Sequence, residues 1–236
     1  MSLRIRNRTL RGTGCAITVC LVLSGCATGG VEEDPFESSN RAVFAFNESF
    51  DKNIAKPIAV GYEKIVPDPV SQAISNFFAN LADFGTAVNN LLQGKVLRAI
   101  EDAGRIVFNS TFGLGGLIDF ASGVGMQKHN EDFGQTLGVW GVDSGPYVML
   151  PILGPSSTRD TVGLGVDLFL LDPVVYLDDT GTEIVLYGVR AVDYRAGLLK
   201  TESILEEAAL DRYDFIRDAY LQHRESVVYD GNPPNE

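Results

Sequence analysis

Apolar residues recur every three to four positions through most of this chain. Between residues 35 and 54 they fall at Val43, Phe46, Phe50 and Ile54, a spacing that predicts one helix with a continuous apolar stripe. Pro57, Pro67 and Pro69 then predict a short, broken connection. Residues 70–81 form a second helical pattern through Val70, Ala73, Ile74, Phe77, Phe78 and Leu81. Asp83 is placed to cap a further helix that runs to Gln93 and stops at Gly94. Residues 95–109 repeat the stripe at Leu97, Ile100, Ala103 and Val107.

The pattern then loosens. Gly113, Gly115, Gly116, Gly123 and Gly125 interleave with Leu114, Leu117, Ile118 and Phe120, which predicts loops with one short helical turn. A short helix is expected over residues 133–141, its acidic start at Glu131-Asp132 suiting the helix dipole. Ser157-Thr158-Arg159-Asp160 is close to a capping box and opens a helix to about residue 170, before Pro173. From Glu183 the face Val185, Val189, Val192, Ala196 and Leu199 predicts another helix, and residues 204–223 a last amphipathic one. No segment alternates long enough to predict a sheet, so the expected class is all-α. The clusters at Phe77-Phe78, 108–120 and 168–171 read as core.

The N-terminus carries a different signal. Arg4, Arg6, Arg8 and Arg11 precede an apolar segment, residues 16–23, too short to span a bilayer, and Leu23-Ser24-Gly25-Cys26 resembles a bacterial lipobox. Cleavage would leave Cys26 first and lipidated, and would remove Cys15 and Cys20 with residues 1–25. No disulfide framework or cysteine metal site would remain. That segment holds four of the 19 Lys and Arg and none of the 31 Asp and Glu, so the net charge of −12 becomes −16 in the mature chain. Such acidity argues against nucleic acid as a partner and against a polybasic membrane anchor. Residues 26–34 read as a tether, 35–228 as one domain, and 229–236 as a flexible tail.

Catalytic signals are weak. Gly113-x-Gly115-Gly116 misses the dinucleotide fingerprint because Ile118 stands where the last glycine belongs, and no Gly-x-Ser-x-Gly elbow or phosphate-cradling loop occurs. His129 and His223 lie 94 positions apart, which argues against a histidine metal site. The pairs Asp178-Asp179 and Glu206-Glu207 read as solvated faces. An enzyme is not expected, nor a cofactor.

Several stretches together resemble the MlaA (VacJ) family. They include Asp34-Pro35-Phe36-Glu37 with Asn40-Arg41 and Phe46-Asn47, Lys56-Pro57, Leu91-Leu92-Gln93-Gly94, and the run from Gly113 to Asp119. Further matches are Glu131-Asp132-Phe133-Gly134-Gln135-Thr136-Leu137-Gly138, Gly145-Pro146-Tyr147, Gly154-Pro155-Ser156 and Arg159-Asp160, and the likeness extends from residue 34 to about 224. The resemblance implies a ring-like helical outer-membrane lipoprotein of a Gram-negative bacterium, anchored in the inner leaflet and facing the periplasm. Ala27, after Cys26, is similar to the position that favours outer-membrane delivery. The implied activity is removal of mislocalised phospholipid from the outer leaflet through an amphipathic channel to a periplasmic lipid-carrier protein, with a trimeric porin bound at the side. On the first helix the resemblance implies a gating role for Asn40 and Asn47, with Phe46 beside them, and the glycine spacing over residues 133–141, which would let a helix sit close to a neighbour or a lipid chain, makes Phe133, Gly134, Gln135 and Gly138 further channel candidates. Glu48 departs from the aromatic residue found in relatives. The alternative is a structural, porin-associated lipoprotein that moves no lipid.

Overall fold

The computed structural model describes residues 34–208 and 211–233, with the side chains of residues 200 and 202–208 outside the description. Cys26 and the N-terminal signal therefore lie outside the described residues, as do the Glu206-Glu207 side chains.

Helix α1, Glu37–Phe50, runs without interruption into a π-turn, Asp51–Ala55, and on into α2, Lys56–Ile65. The expected break at Pro57 does not occur. Proline lacks an N–H and its ring collides with the carbonyl one turn back. The wider π-turn immediately before Pro57 supplies the room, so the helix continues. The chain turns instead at Val66, whose extended backbone is the conformation a following proline imposes.

Helix α3, Asp68–Leu92, is one element of 25 residues rather than two, and it accepts Pro69 in its first turn where no N–H is needed. Asp83 is therefore not a cap. It lies mid-helix, fully buried, and pairs with Arg105 Nε at 3.4 Å and with Lys128. Gly94, at φ 77°, ends the helix as expected, and α4, Val96–Thr111, packs back along α3.

The glycine-rich segment folds into turns around one short helix, α5, Phe120–Gly123, capped by Asp119. Gly113 is obligatory there, because a Cβ would lie 2.1 Å from the Ile118 carbonyl oxygen. Helix α6, Phe133–Val139, is capped by the Asp132 carboxylate, which accepts from the Gln135 N–H at 2.8 Å.

A two-stranded antiparallel hairpin follows, β1, Tyr147–Leu150, against β2, Gly154–Ser157, in register from Tyr147 opposite Ser157 to Leu150 opposite Gly154. The sequence pattern did not predict it. Tyr147, Val148 and Met149 are all buried, so β1 shows no alternation, and β2 carries glycine, proline and serines.

Ser157 caps α7, Thr158–Val166, accepting from the Asp160 N–H at 3.1 Å. The Asp160 carboxylate is used for arginine instead of closing a capping box. A second π-turn, Asp167–Leu171, and a 3₁₀ turn, Pro173–Tyr176, lead to α8, Thr180–Ala208. The expected helix over 204–223 is split: α9, Arg212–Val228, starts afresh because Asp211 caps it through the Tyr213 and Asp214 N–H groups. The predicted tether and tail each contain a fixed residue. Buried Asp34 accepts from Asn40 at 2.8 Å and from the Tyr213 hydroxyl, and Asp230 receives Lys95 at 2.8 Å and Arg98 at 2.6 Å.

The all-α class holds, but the expected core does not. In α4 the predicted stripe faces outward, with Leu97 84% exposed, Ile100 63% and Val107 58%, while Ala99, Asp102, Arg105 and Asn109 on the opposite face are buried. The facing side of α3 buries Asn80, Asp83, Thr86, Asn89 and Asn90. Phe78 is buried, yet Phe112, Phe120, Phe169 and Leu170 are exposed. A stripe alone cannot say which face turns inward. Here buried carboxylates and arginines take each other as partners, and much of the apolar surface is left outside.

Candidate functional site: an amphipathic cavity beside the first helix

The last turns of α1 and the π-turn that follows form one wall of a cavity of about 1580 Å³. The hairpin tip, the second π-turn, α8 and the start of α9 complete it. Both π-turns thus lie in the wall, where the widened backbone re-aims Asp51, Lys52 and Asn53 on one side and Leu168 and Phe169 on the other. The lining is mixed. Phe44, Phe50, Met149, Leu153, Leu168 and Ile216 give apolar wall, and Lys52, Lys56, Arg190, Arg195 and Arg212 are basic against acidic Glu48, Asp51 and Glu183. Five basic and three acidic groups leave this lining net positive inside a chain of net charge −12.

The three arginines are held by carboxylates. Arg195 binds Asp51 through two bonds, of 2.6 and 2.8 Å, and the guanidinium keeps the Asp51 carboxyl below the usual range. Arg190 meets Asp172 at 2.6 Å, and Arg212 meets Glu48 at 2.8 Å. Tyr187 is pushed up to about 12 by burial and by the nearby Asp172, so its hydroxyl stays a neutral donor.

Asn40 and Asn47, two turns apart on α1, both hold the hairpin by its backbone. Asn40 donates to Asp34 at 2.8 Å and to the Tyr147 carbonyl at 3.1 Å, and accepts from the Met149 N–H at 2.9 Å. Asn47 donates to the Leu150 carbonyl at 2.9 Å and accepts from the Ile152 N–H at 2.7 Å. Ile152 sits at φ 66°, a left-handed conformation costly for a β-branched residue. The Asn47 bond helps to hold that strained residue at the cavity wall.

Of the seven channel and gating candidates, Asn47 alone lines the cavity. Asn40 is buried beneath the hairpin, and Phe46 faces outward, stacked on the cavity residue Phe50 at 6.4 Å. Phe133 packs edge-on against Trp140, and its N–H bonds Asp167 at 3.0 Å. Gly134 and Gly138 are packing sites: a Cβ on Gly134 would lie 2.5 Å from Asp160 Oδ1, and one on Gly138 2.9 Å from the Arg159 guanidinium. Gln135 bonds Asn130 and Asp132. These four surround an ionic knot in which Arg224 binds Asp132 at 2.6 Å and Asp160 at 2.9 Å, with the Tyr220 hydroxyl on Asp160 at 2.6 Å. Burial alone would raise Asp160, but Arg224 and Tyr220 reverse this and hold it at about 2.

The cavity residues of α8 fall at 183, 187, 190, 191, 194, 195 and 198. That is a helical face, distinct from the Val185–Leu199 stripe, and its mixture of tyrosine and arginine was the signal available in the sequence. Among the described residues no group of histidine, cysteine, aspartate or glutamate could hold a metal ion, and no helix is long and apolar enough to cross a membrane.

Residues 32–227 match the profile of the MlaA lipoprotein family. The chain belongs to that family. The Haemophilus influenzae intermembrane phospholipid transport system lipoprotein MlaA is 35% identical over 225 residues, covering 92% of this chain and 90% of that protein. The Escherichia coli (strain K12) lipoprotein MlaA is 33% identical over 218 residues, covering 89% and 86%. An uncharacterized protein of Rickettsia typhi is 36% identical over 195 residues, covering 83% and 78%. A solved structure, from work on the structural basis for maintenance of bacterial outer membrane lipid asymmetry, matches with a TM-score of 0.72 at 34% identity, covering 84% of this chain and 99% of that one. The helical fold of this MlaA family member is therefore shared with that structure.

Proposed function

We propose that this MlaA family lipoprotein carries phospholipid out of the outer leaflet of the outer membrane, through the cavity beside α1, to a periplasmic carrier protein. Cys26 anchors it in the inner leaflet and a trimeric porin sits at its side. The observation that carries the reading is the lining of the cavity, which combines apolar wall with an excess of basic over acidic side chains in an acidic chain. Its volume exceeds the roughly 300–1,000 Å³ usual for drug-sized ligands. A diacyl lipid with a phosphate head needs that combination of size, apolar surface and positive charge. The outward stripe of α4 supports residence in acyl chains, which would cover it without a span. No covalent step is required of the protein, which acts as a transporter and not as an enzyme.

A purely structural, porin-clamping role predicts no lipid in the cavity. Surface phospholipid measured in cells lacking the gene separates the two readings. A rise in outer-leaflet phospholipid that Asn47→Ala or cavity-filling Ala191→Trp fails to reverse supports transport, and an unchanged surface refutes it.

A further inference from the structure

Three arginine–carboxylate pairs are described at the cavity, and they are not equivalent. Arg190–Asp172 and Arg195–Asp51 each contain a member that is largely buried, and the second is bidentate. Arg212–Glu48 is the most open, with side chains 47% and 40% exposed and both partners lining the cavity. It also joins separate elements, the end of α1 and the first residue of α9. An exposed single ion pair is weakly held and easily exchanged with another charged group.

Resting on the reading of this cavity as a lipid passage, we infer that the Glu48–Arg212 pair is a headgroup station selecting zwitterionic, phosphoethanolamine-type lipid over purely anionic, phosphoglycerol-type lipid. The pair opens by exchange. The lipid phosphodiester takes the Arg212 guanidinium, whose planar fork suits two phosphate oxygens. The lipid ammonium takes the Glu48 carboxylate that Arg212 has released. Charge is conserved at the site, and neither protein group is left facing the cavity unpaired. An anionic headgroup engages Arg212 equally well but strands Glu48 beside a phosphate, so it is disfavoured by the repulsion. The neighbouring Arg195–Asp51 pair, bidentate and less exposed, stays closed and keeps the wall of the π-turn in place. Lys52 stands one turn beyond Glu48 on the same wall. If Lys52 took over Glu48, the station would select a simple anion.

The test is equilibrium binding of short-chain dihexanoyl phosphatidylethanolamine and dihexanoyl phosphatidylglycerol to the purified, lipidated mature protein. The unsubstituted protein is expected to bind the ethanolamine lipid at least fivefold more tightly. Glu48→Gln should bring the ratio to within twofold of one, and Arg212→Gln should weaken both lipids at least fivefold. Both positions are solvent-accessible, and unchanged far-ultraviolet circular dichroism and melting temperature will confirm that the variants fold. Equal binding, tighter binding of the glycerol lipid, or a ratio insensitive to Glu48→Gln overturns the headgroup station while leaving lipid passage standing. No binding of either lipid to the unsubstituted protein overturns both.

Discussion

Asn40 and Asn47 offer a matched pair for testing how the hairpin is held. Each is replaced by alanine in the full chain, which removes the same amide from the same helix face. The environments differ: Asn40 is buried and makes three bonds, two of them to backbone that is itself buried in Tyr147 and Met149. Losing a hydrogen bond costs about 0.5–1.5 kcal/mol, and leaving a buried partner unsatisfied about 1–3 kcal/mol. Asn40→Ala is therefore expected to destabilise by about 3–4 kcal/mol. Asn47 makes two bonds to the hairpin tip, where water can reach the Ile152 N–H. Their loss also lets Ile152 leave its left-handed conformation, recovering roughly 1–3 kcal/mol of strain. Asn47→Ala is expected to cost about 1 kcal/mol or less, while freeing the cavity wall. Urea unfolding followed by circular dichroism gives the global values, and amide exchange at Met149 and Ile152 gives the local ones. Equal costs for the two variants, or unchanged Ile152 protection in Asn47→Ala, would refute burial-graded docking of the hairpin.

Three further outcomes follow from the same geometry. Leu97→Ala should cost under about 0.5 kcal/mol in detergent because its side chain is outside, against about 2–5 kcal/mol for a core leucine; a thermal melt distinguishes them. Arg224→Met leaves Asp132 without its cation and Asp160 with Arg159 alone, and should destabilise by about 3–5 kcal/mol at pH 7, an effect that shrinks once both carboxylates are protonated. Burial raises Asp167 from 3.8 to about 6, despite the Phe133 N–H and the Asn89 amide. Its folded pKa is above its unfolded one, so stability from this group is present below about pH 4 and is lost as pH rises to about 6, by at most about 3 kcal/mol. Asp160, held at about 2, has the opposite sign: its contribution is present above about pH 4 and lost as pH falls to about 2. Unfolding measured from pH 3 to 8 should lose the slope between 4 and 6 in Asp167→Asn; a slope that survives counts against the assignment.

Much of the local structure was legible before any coordinate. Gly94 ended its helix, Ser157 capped the next, and Asp132 opened the short one, because each signal depends on a few adjacent residues. The errors have a common cause. Pro57 reads as a break because the π-turn that absorbs it has no sequence signature, and Asp83 reads as a cap because its partner Arg105 is 22 positions away. The candidate site was half legible. Asn47, implied by the resemblance, lies in the cavity wall, whereas Arg195 and Arg212 acquire meaning only when α8 and α9 are brought against α1.

The sequence by itself determined the helices, most of their ends, the acidic charge and the membership of a lipoprotein family, since periodicity, capping and motif are properties of neighbouring residues. Tertiary structure alone decided which face of each helix turns inward. An apolar stripe on α4 and a polar stripe on α3 are equally helical. Only packing reveals that Asp102, Arg105 and Asn109 find buried partners with α3 and the glycine loop, leaving Leu97 and Ile100 outside. The cavity arises in the same way, from charges on three distant helices that cost too much to bury singly and become tenable once paired.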